Sequence, residues 1–159
     1  MSDDAPMSYD AKAAELGLEL PAAARPVANY VPAVRTGNLV FLSGHGPVRD
    51  GSLVRGVLGK DLGVEEGVEA ARLTMIGLLG SLKAELGSLD RVVRIVKLLC
   101  MVNCAPDFGD QPTVANGASD LLVELFGDAG KHARSAVGMQ SLPMGMSVEI
   151  EMIVEVSDG

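Results

Sequence analysis

Tryptophan is absent from this chain, and its aromatic side chains are two tyrosines and three phenylalanines in 159 residues. Platforms that stack nucleic-acid bases need more aromatic surface than that. Positive charge is also short, with 13 Lys+Arg against 21 Asp+Glu and a formal net charge of −8. An acidic surface without a local Lys/Arg cluster repels phosphate backbones and anionic lipid, so neither nucleic acid nor a membrane is an expected partner. Long hydrophobic runs are missing too. Stretches such as Leu98–Val102 fall far short of the roughly 20 residues of a spanning helix. Asp3, Asp4 and Asp10 stand where a basic and then apolar leader would be. The expectation is a cytoplasmic protein.

Cysteine is scarce as well. Cys100 and Cys104 do not make a disulfide framework, and neither His45 nor His132 lies at a ligand spacing from them, so no metal site is expected. No glycine-rich dinucleotide or phosphate loop occurs, nor a nucleophile elbow, nor a zinc-binding His pair on a helix.

What the chain does have is apolar mass, 48% of its residues, and 19 glycines. That suits one domain with a sizeable core and many turns. Residues 1–26 read as an N-terminal lead-in, helical at most over Ala11–Leu18, with breaks at Pro21 and Pro26. The domain proper is expected over residues 27–159. Tyr30–Arg35 and Leu39–Ser43 flank Thr36-Gly37-Asn38 as a β-hairpin. The glycine-rich stretch from Gly44 to Gly63 is expected to be a loop with a short strand near Leu53–Leu58. Val68, Ala71, Met75, Leu78, Leu79, Leu82 and Leu86 then form an apolar helical stripe ended by Gly87. In that stripe Met75 is expected to be core filler.

Arg91–Val102 is a β-branched run apolar on both faces, with Val93, Ile95 and Leu99 expected on one side and Val96, Leu98 and Val102 on the other. Asp110-Gln111-Pro112 opens a second helix carrying Val114, Ala118, Leu121, Leu122 and Leu125. Ala133–Gln140 and Val148–Val156 close the chain as strands. The last places Val148, Ile150, Met152, Val154 and Val156 opposite Glu149, Glu151, Ile153 and Glu155. The order predicts an α+β fold, a six-stranded mixed sheet with two helices on one face. Two helices cover one face only. The doubly apolar strand therefore calls for a second copy of the sheet, and so for a homo-oligomer with clefts between subunits.

Chemistry is best sought at the C-terminus. Arg134 sits in an otherwise uncharged strand, His132-Ala133-Arg134-Ser135-Ala136-Val137. One reading is a structural ion pair with Glu149 or Glu151 on the next strand. The other is a planar guanidinium fork that clamps a ligand carboxylate in a cleft, with Glu149 nearby to hold and deprotonate a water. Ser43 and His45 flank Gly44; no Ser–His dyad is expected of them, and His45 reads as a solvent-exposed loop residue.

Tyr30, Leu42-Ser43-Gly44, Asn116, Ala133-Arg134-Ser135 and Glu149-Ile150-Glu151 occur in the order and spacing of a known family. From about residue 27 to 156 the chain resembles the reactive intermediate deaminase family (RidA, or YjgF, many members of which carry the label endoribonuclease L-PSP). The resemblance implies a chorismate-mutase-like homotrimer with three inter-subunit clefts. It also implies hydrolytic deamination of 2-enamine/2-imino acids such as 2-aminoacrylate to 2-keto acids and ammonia, without metal or organic cofactor. By position, Arg134 would clamp the substrate carboxylate, Glu149 would activate water, and Tyr30, Ser43, Asn116 and the backbone around Ala136 would line the pocket. The chain departs from the family pattern at Ala136, where many members have Cys, and at His45, where many have Gln. Its lead-in and its 44–63 loop are also longer. Two other functions compete: a sensor that binds a small 2-keto acid without turnover, and, last, a ribonuclease, which lacks a basic groove and a pair of histidines.

Overall fold

The apolar periodicities close as they read. In the computed structural model, which describes residues 5–23 and 28–158, the stripe from Val68 to Leu86 becomes helix α2 (Val64–Leu86), capped at its end by Gly87. Its inner side chains, Met75 among them, are fully buried. The second stripe becomes α3 (Gln111–Phe126), with Pro112 in its first turn. The two helices lie backbone to backbone, for a Cβ on Gly117 would sit 2.0 Å from the Val68 carbonyl oxygen. Only glycine permits that approach.

Beneath the helices runs a mixed sheet. Strands β1 (Ala33–Thr36), β2 (Leu39–His45), β5 (Val92–Asn103), β6 (Ala133–Met139) and β7 (Val148–Val156) stand in the order β1-β2-β7-β5-β6. All pairs are antiparallel except β5 with β6. The hairpin expected from Tyr30 is formed by β1 and β2, although Tyr30–Pro32 precede the strand. The alternation read along Val148–Val156 is present, its five apolar residues buried under the helices.

Two expectations are corrected. The main sheet has five strands rather than six. Of the strand sought near Leu53–Leu58, Ser52–Leu53 (β4) pairs with Val48–Arg49 (β3) in a separate small hairpin, while Arg55 and Leu58 make isolated bridges. The turn at Asp50-Gly51, with φ of 51° and 81°, folds this segment on itself instead of along the sheet. In β5, register shifts at Val92/Arg94 and Ile95/Lys97 break the simple alternation. Ile95 thereby joins Leu98, Cys100 and Val102 under the helices, while Lys97, Leu99 and Met101 point to the other face.

Among the described residues no helix covers that other face. Val34, Phe41 and Val137 are exposed there, with Leu99, Met101 and Ile153 half-buried. The described part of the lead-in, by contrast, is docked. Helix α1 (Tyr9–Glu15) sets Tyr9 edge-on to Phe126 at 4.8 Å, and the Asp10 carboxylate accepts hydrogen bonds from Ser88 Oγ and Leu89 N. Asp3, Asp4, Pro26 and the domain boundary expected at 26/27 lie outside the described residues. None of the described helices is long and apolar enough to cross a membrane.

Candidate active site

β6 is an edge strand, and its parallel register sets Arg134 beside Leu98 and Ala136 beside Cys100, on the helix side of the sheet. At an edge the long arginine stem can reach sideways to α3. There Nη1 donates to Asn116 Oδ1 at 2.8 Å and to Ser119 Oγ at 3.0 Å. A second layer holds the first. His132 Nδ1 lies 2.7 Å from the Gly130 carbonyl oxygen, which can only accept, so this nitrogen carries the proton. Nε2 is then the acceptor for Ser119 Oγ at 2.9 Å. Burial, aided by the Arg134 charge, depresses the His132 pKa and keeps the ring neutral.

Arg134 has no carboxylate partner among the described residues, so the ion pair with Glu149 or Glu151 is not formed. The reason is topological. β6 does not follow on to β7 as a neighbour, because β5 lies between them. Glu149 pairs with Met101 and projects from the open face, opposite to Arg134. It is half-buried and packs on Gly44, whose absent Cβ would lie 3.0 Å from the Glu149 Cδ. Desolvation raises its pKa, and the like charge of Glu151 raises it further.

Gly44 belongs to a bulge between Leu42 and His45. On one side of it the Ser43 hydroxyl donates at 2.6 Å to the carbonyl of Val31, the residue that follows the exposed Tyr30. On the other the chain shifts by a residue, so that His45 pairs with Ile150 and turns under α2. His45 is thus a buried strand residue, 8% exposed, not the solvent-exposed loop histidine expected. Its Nδ1 bonds the Ser43 carbonyl at 2.7 Å and its Nε2 meets Ser81 Oγ at 2.8 Å. Burial lowers its pKa. The hydroxyl of Ser43 and this imidazole make no dyad.

The sequence-selected residues therefore fall into two halves. Arg134, Asn116 and Ala136 occupy the helix side at one edge of the sheet. Glu149 and Ser43 occupy the opposite face around β2 and β7, next to Tyr30. A cavity of about 900 Å³ opens beside Glu149, Gly44 and Tyr30. Ser119 and His132 were not singled out from sequence as part of this machinery. His132 stands two residues before Arg134, the strand period that puts both on one face, and that spacing was the available signal. Cys100 is fully buried and its thiol is pushed up to about 12 by burial, so it is inert. Among the described residues no group of three or more His, Cys, Asp or Glu is placed to hold a metal ion.

A family model described as "YjgF/chorismate_mutase-like, putative endoribonuclease" matches residues 10–156. Protein TCP17 of Trypanosoma cruzi is 47% identical over 90% of this chain and 91% of its own length. A 2-iminobutanoate/2-iminopropanoate deaminase of Dermatophagoides farinae is 28% identical over 86% and 93%. Among solved structures, protein Atu1372 of Agrobacterium tumefaciens superposes with a TM-score of 0.87 at 42% identity, over 94% of this chain and 92% of that one.

Proposed function

This chain belongs to the YjgF/chorismate-mutase-like family, and from that premise we propose that it hydrolyses 2-imino acids to 2-keto acids and ammonia, in clefts between the subunits of a homotrimer. The observation that carries the reading is the state of Arg134. A guanidinium is held in place by two neutral acceptors, Asn116 and Ser119, and is left without a carboxylate among the described residues. Such a fork is preorganised for a ligand carboxylate.

Glu149 supplies the second function. Its raised pKa makes it a better base than an ordinary surface carboxylate. It takes a proton from water as the water oxygen bonds to the imine carbon. Glu149 returns that proton to the nitrogen, giving the carbinolamine; as the C–N bond breaks, the hydroxyl proton passes to the leaving amine, so ammonia departs and the keto group remains. An imine is already electrophilic, so a positioned base and a fixed substrate are sufficient.

Arg134 and Glu149 project from opposite faces of one sheet, so a single chain cannot present both to one substrate. The apolar open face with Phe41, Ile153 and Leu99 supports an assembly in which a neighbour's Arg134 half meets this chain's Glu149 half. The deaminase name of the Dermatophagoides relative supports the chemistry; the name of TCP17 assigns none. The ribonuclease reading is weakened further, because His45 and His132 are each engaged by a serine and a backbone carbonyl against different helices.

The test is a coupled assay in which a pyridoxal-phosphate dehydratase makes 2-aminoacrylate from serine and pyruvate release is followed. The expected result is acceleration by the wild-type protein. Arg134→Ala should lower kcat/KM on the order of 10²-fold, the loss of a charge-assisted pair worth about 3 kcal/mol. Glu149→Gln should lower kcat by about 10²–10⁴-fold. Keto-acid binding by wild type and Glu149→Gln alike, with no acceleration by either, would instead identify a carboxylate-binding sensor.

A further inference from the structure

Glycine inside a helix costs stability, so each one needs a reason. Helix α2 contains three. A Cβ on Gly67 would meet Leu58 and Val114 side-chain carbons at 2.7 and 2.8 Å, and one on Gly80 would lie 2.3 Å from the Pro21 carbonyl oxygen. Close packing explains both. Gly77 is different. The nearest atom to its absent Cβ is His45 Cδ2 at 3.9 Å, an ordinary contact that alanine would tolerate. What Gly77 borders is the cavity of about 900 Å³ that has Glu149 in its wall.

Much of this cavity's wall is apolar. Leu73 and Ile76 of α2, Leu53 of β4, and Met144 and Met146 of the turn before β7 face it. Leu73 and Ile76 are only half-buried, whereas Leu78, Leu79 and Leu82 are sealed in the core. Methionines adapt to ligands of varied shape. Both nitrogens of His45 are already engaged, so towards Gly77 the ring offers carbon rather than a donor. Charged residues of both signs border the cavity as well, Glu19, Arg49, Asp50 and Arg72, and Arg72 is drawn to Glu124 at 3.9 Å.

We propose that this chamber receives the side chain of a large apolar 2-imino acid, of leucine or methionine size, and that Gly77 sets its depth. The proposal rests on the reading above that the reacting carbon lies at Glu149, which borders the same chamber. The substrate class is thereby larger and more apolar than 2-aminoacrylate.

The test measures binding of the keto-acid products by calorimetry, with wild type, Gly77→Ala and Gly77→Leu compared. Wild type should bind 4-methyl-2-oxopentanoate about tenfold or more tighter than pyruvate, since each methylene in an apolar pocket contributes at that level. Gly77→Leu should bring the ratio of the two dissociation constants to about one, with Gly77→Ala between. Neither variant should melt below wild type, because both replacements favour the helix. Equal affinities in wild type, a preference that survives Gly77→Leu, or tighter binding of 2-oxoglutarate at Arg49 would each overturn the proposal. The same proteins assayed on imines made from alanine and leucine by an amino-acid oxidase separate the two layers. A long-chain binding preference without hydrolysis would sink the deaminase reading and keep the chamber. Equal hydrolysis of both imines would do the reverse, and no keto-acid binding at all would sink both.

Discussion

At the scale of single residues, the account turns on how one charged side chain is kept ready. The Arg134 guanidinium is oriented by Asn116 and Ser119, and Ser119 is oriented by His132, whose ring is fixed on the Gly130 carbonyl. Ser119→Ala removes one acceptor from the arginine and the donor to the histidine. Its effect should fall on carboxylate binding, raising KM by about tenfold with kcat little changed, as for loss of one hydrogen bond to a charged group. Ser119→Thr should restore it. Steady-state kinetics on the three proteins checks this. Glu149 gives a pH signature. In the proposed reaction its active form is the ionised one, and desolvation together with Glu151 raises its pKa, so activity should be lost on the acid side above the usual carboxylate range. Glu151→Gln removes the like charge and should move that acid limb to lower pH in the kcat/KM profile. A lone arginine in an uncharged strand made Arg134 legible in sequence. Ser119 was not, since nothing in a helical serine announces that a strand arginine lies beside it.

Among the elements, long periodic ones were readable and short or bulged ones were not. The stripes of α2 and α3 and the alternation of β7 run for nine residues or more, so the faces they bury are over-determined. β3 and β4 have two residues each and carry no periodicity. The bulges in β5 and β2 reassign faces by one residue, which is why Ile95 shares a face with Leu98 and Val102, and why His45 is buried, against expectation. The buried His45 leaves a mark on stability. Its folded pKa lies below the ordinary imidazole value, so the folded state binds fewer protons than the unfolded. Stability should be fully present above pH of about 6.5 and should fall as pH drops from there through the depressed pKa. His45→Gln should flatten that slope in denaturant titrations between acid and neutral pH. Helix contact gives another prediction. Gly117→Ala forces a methyl onto the Val68 carbonyl and should destabilise by on the order of 3 kcal/mol, seen as a lower midpoint with unchanged m.

For the whole molecule, the uncovered apolar face and the divided site make one argument. Two helices bury one side of the sheet, and the other side presents Phe41, Val34, Val137 and half-buried Ile153. That two helices would cover one face of the sheet only was legible in composition and element order alone. That Arg134 and Glu149 lie on opposite faces was not, because it depends on β5 separating β6 from β7. A charge on the open face, as in Ile153→Asp, should yield a monomer in light scattering with helical circular dichroism retained and deaminase activity lost.

Complementation tests the divided site most directly. Arg134→Ala and Glu149→Gln chains, each inactive alone, would be unfolded together, refolded as mixed oligomers and assayed. If each site takes Arg134 from one subunit and Glu149 from its neighbour, about a quarter of the sites in an equal mixture combine two intact halves. The mixture should then recover roughly that share of wild-type activity. If both residues served one substrate from the same chain, every site would keep a defect, and the mixture would stay as inactive as its parts.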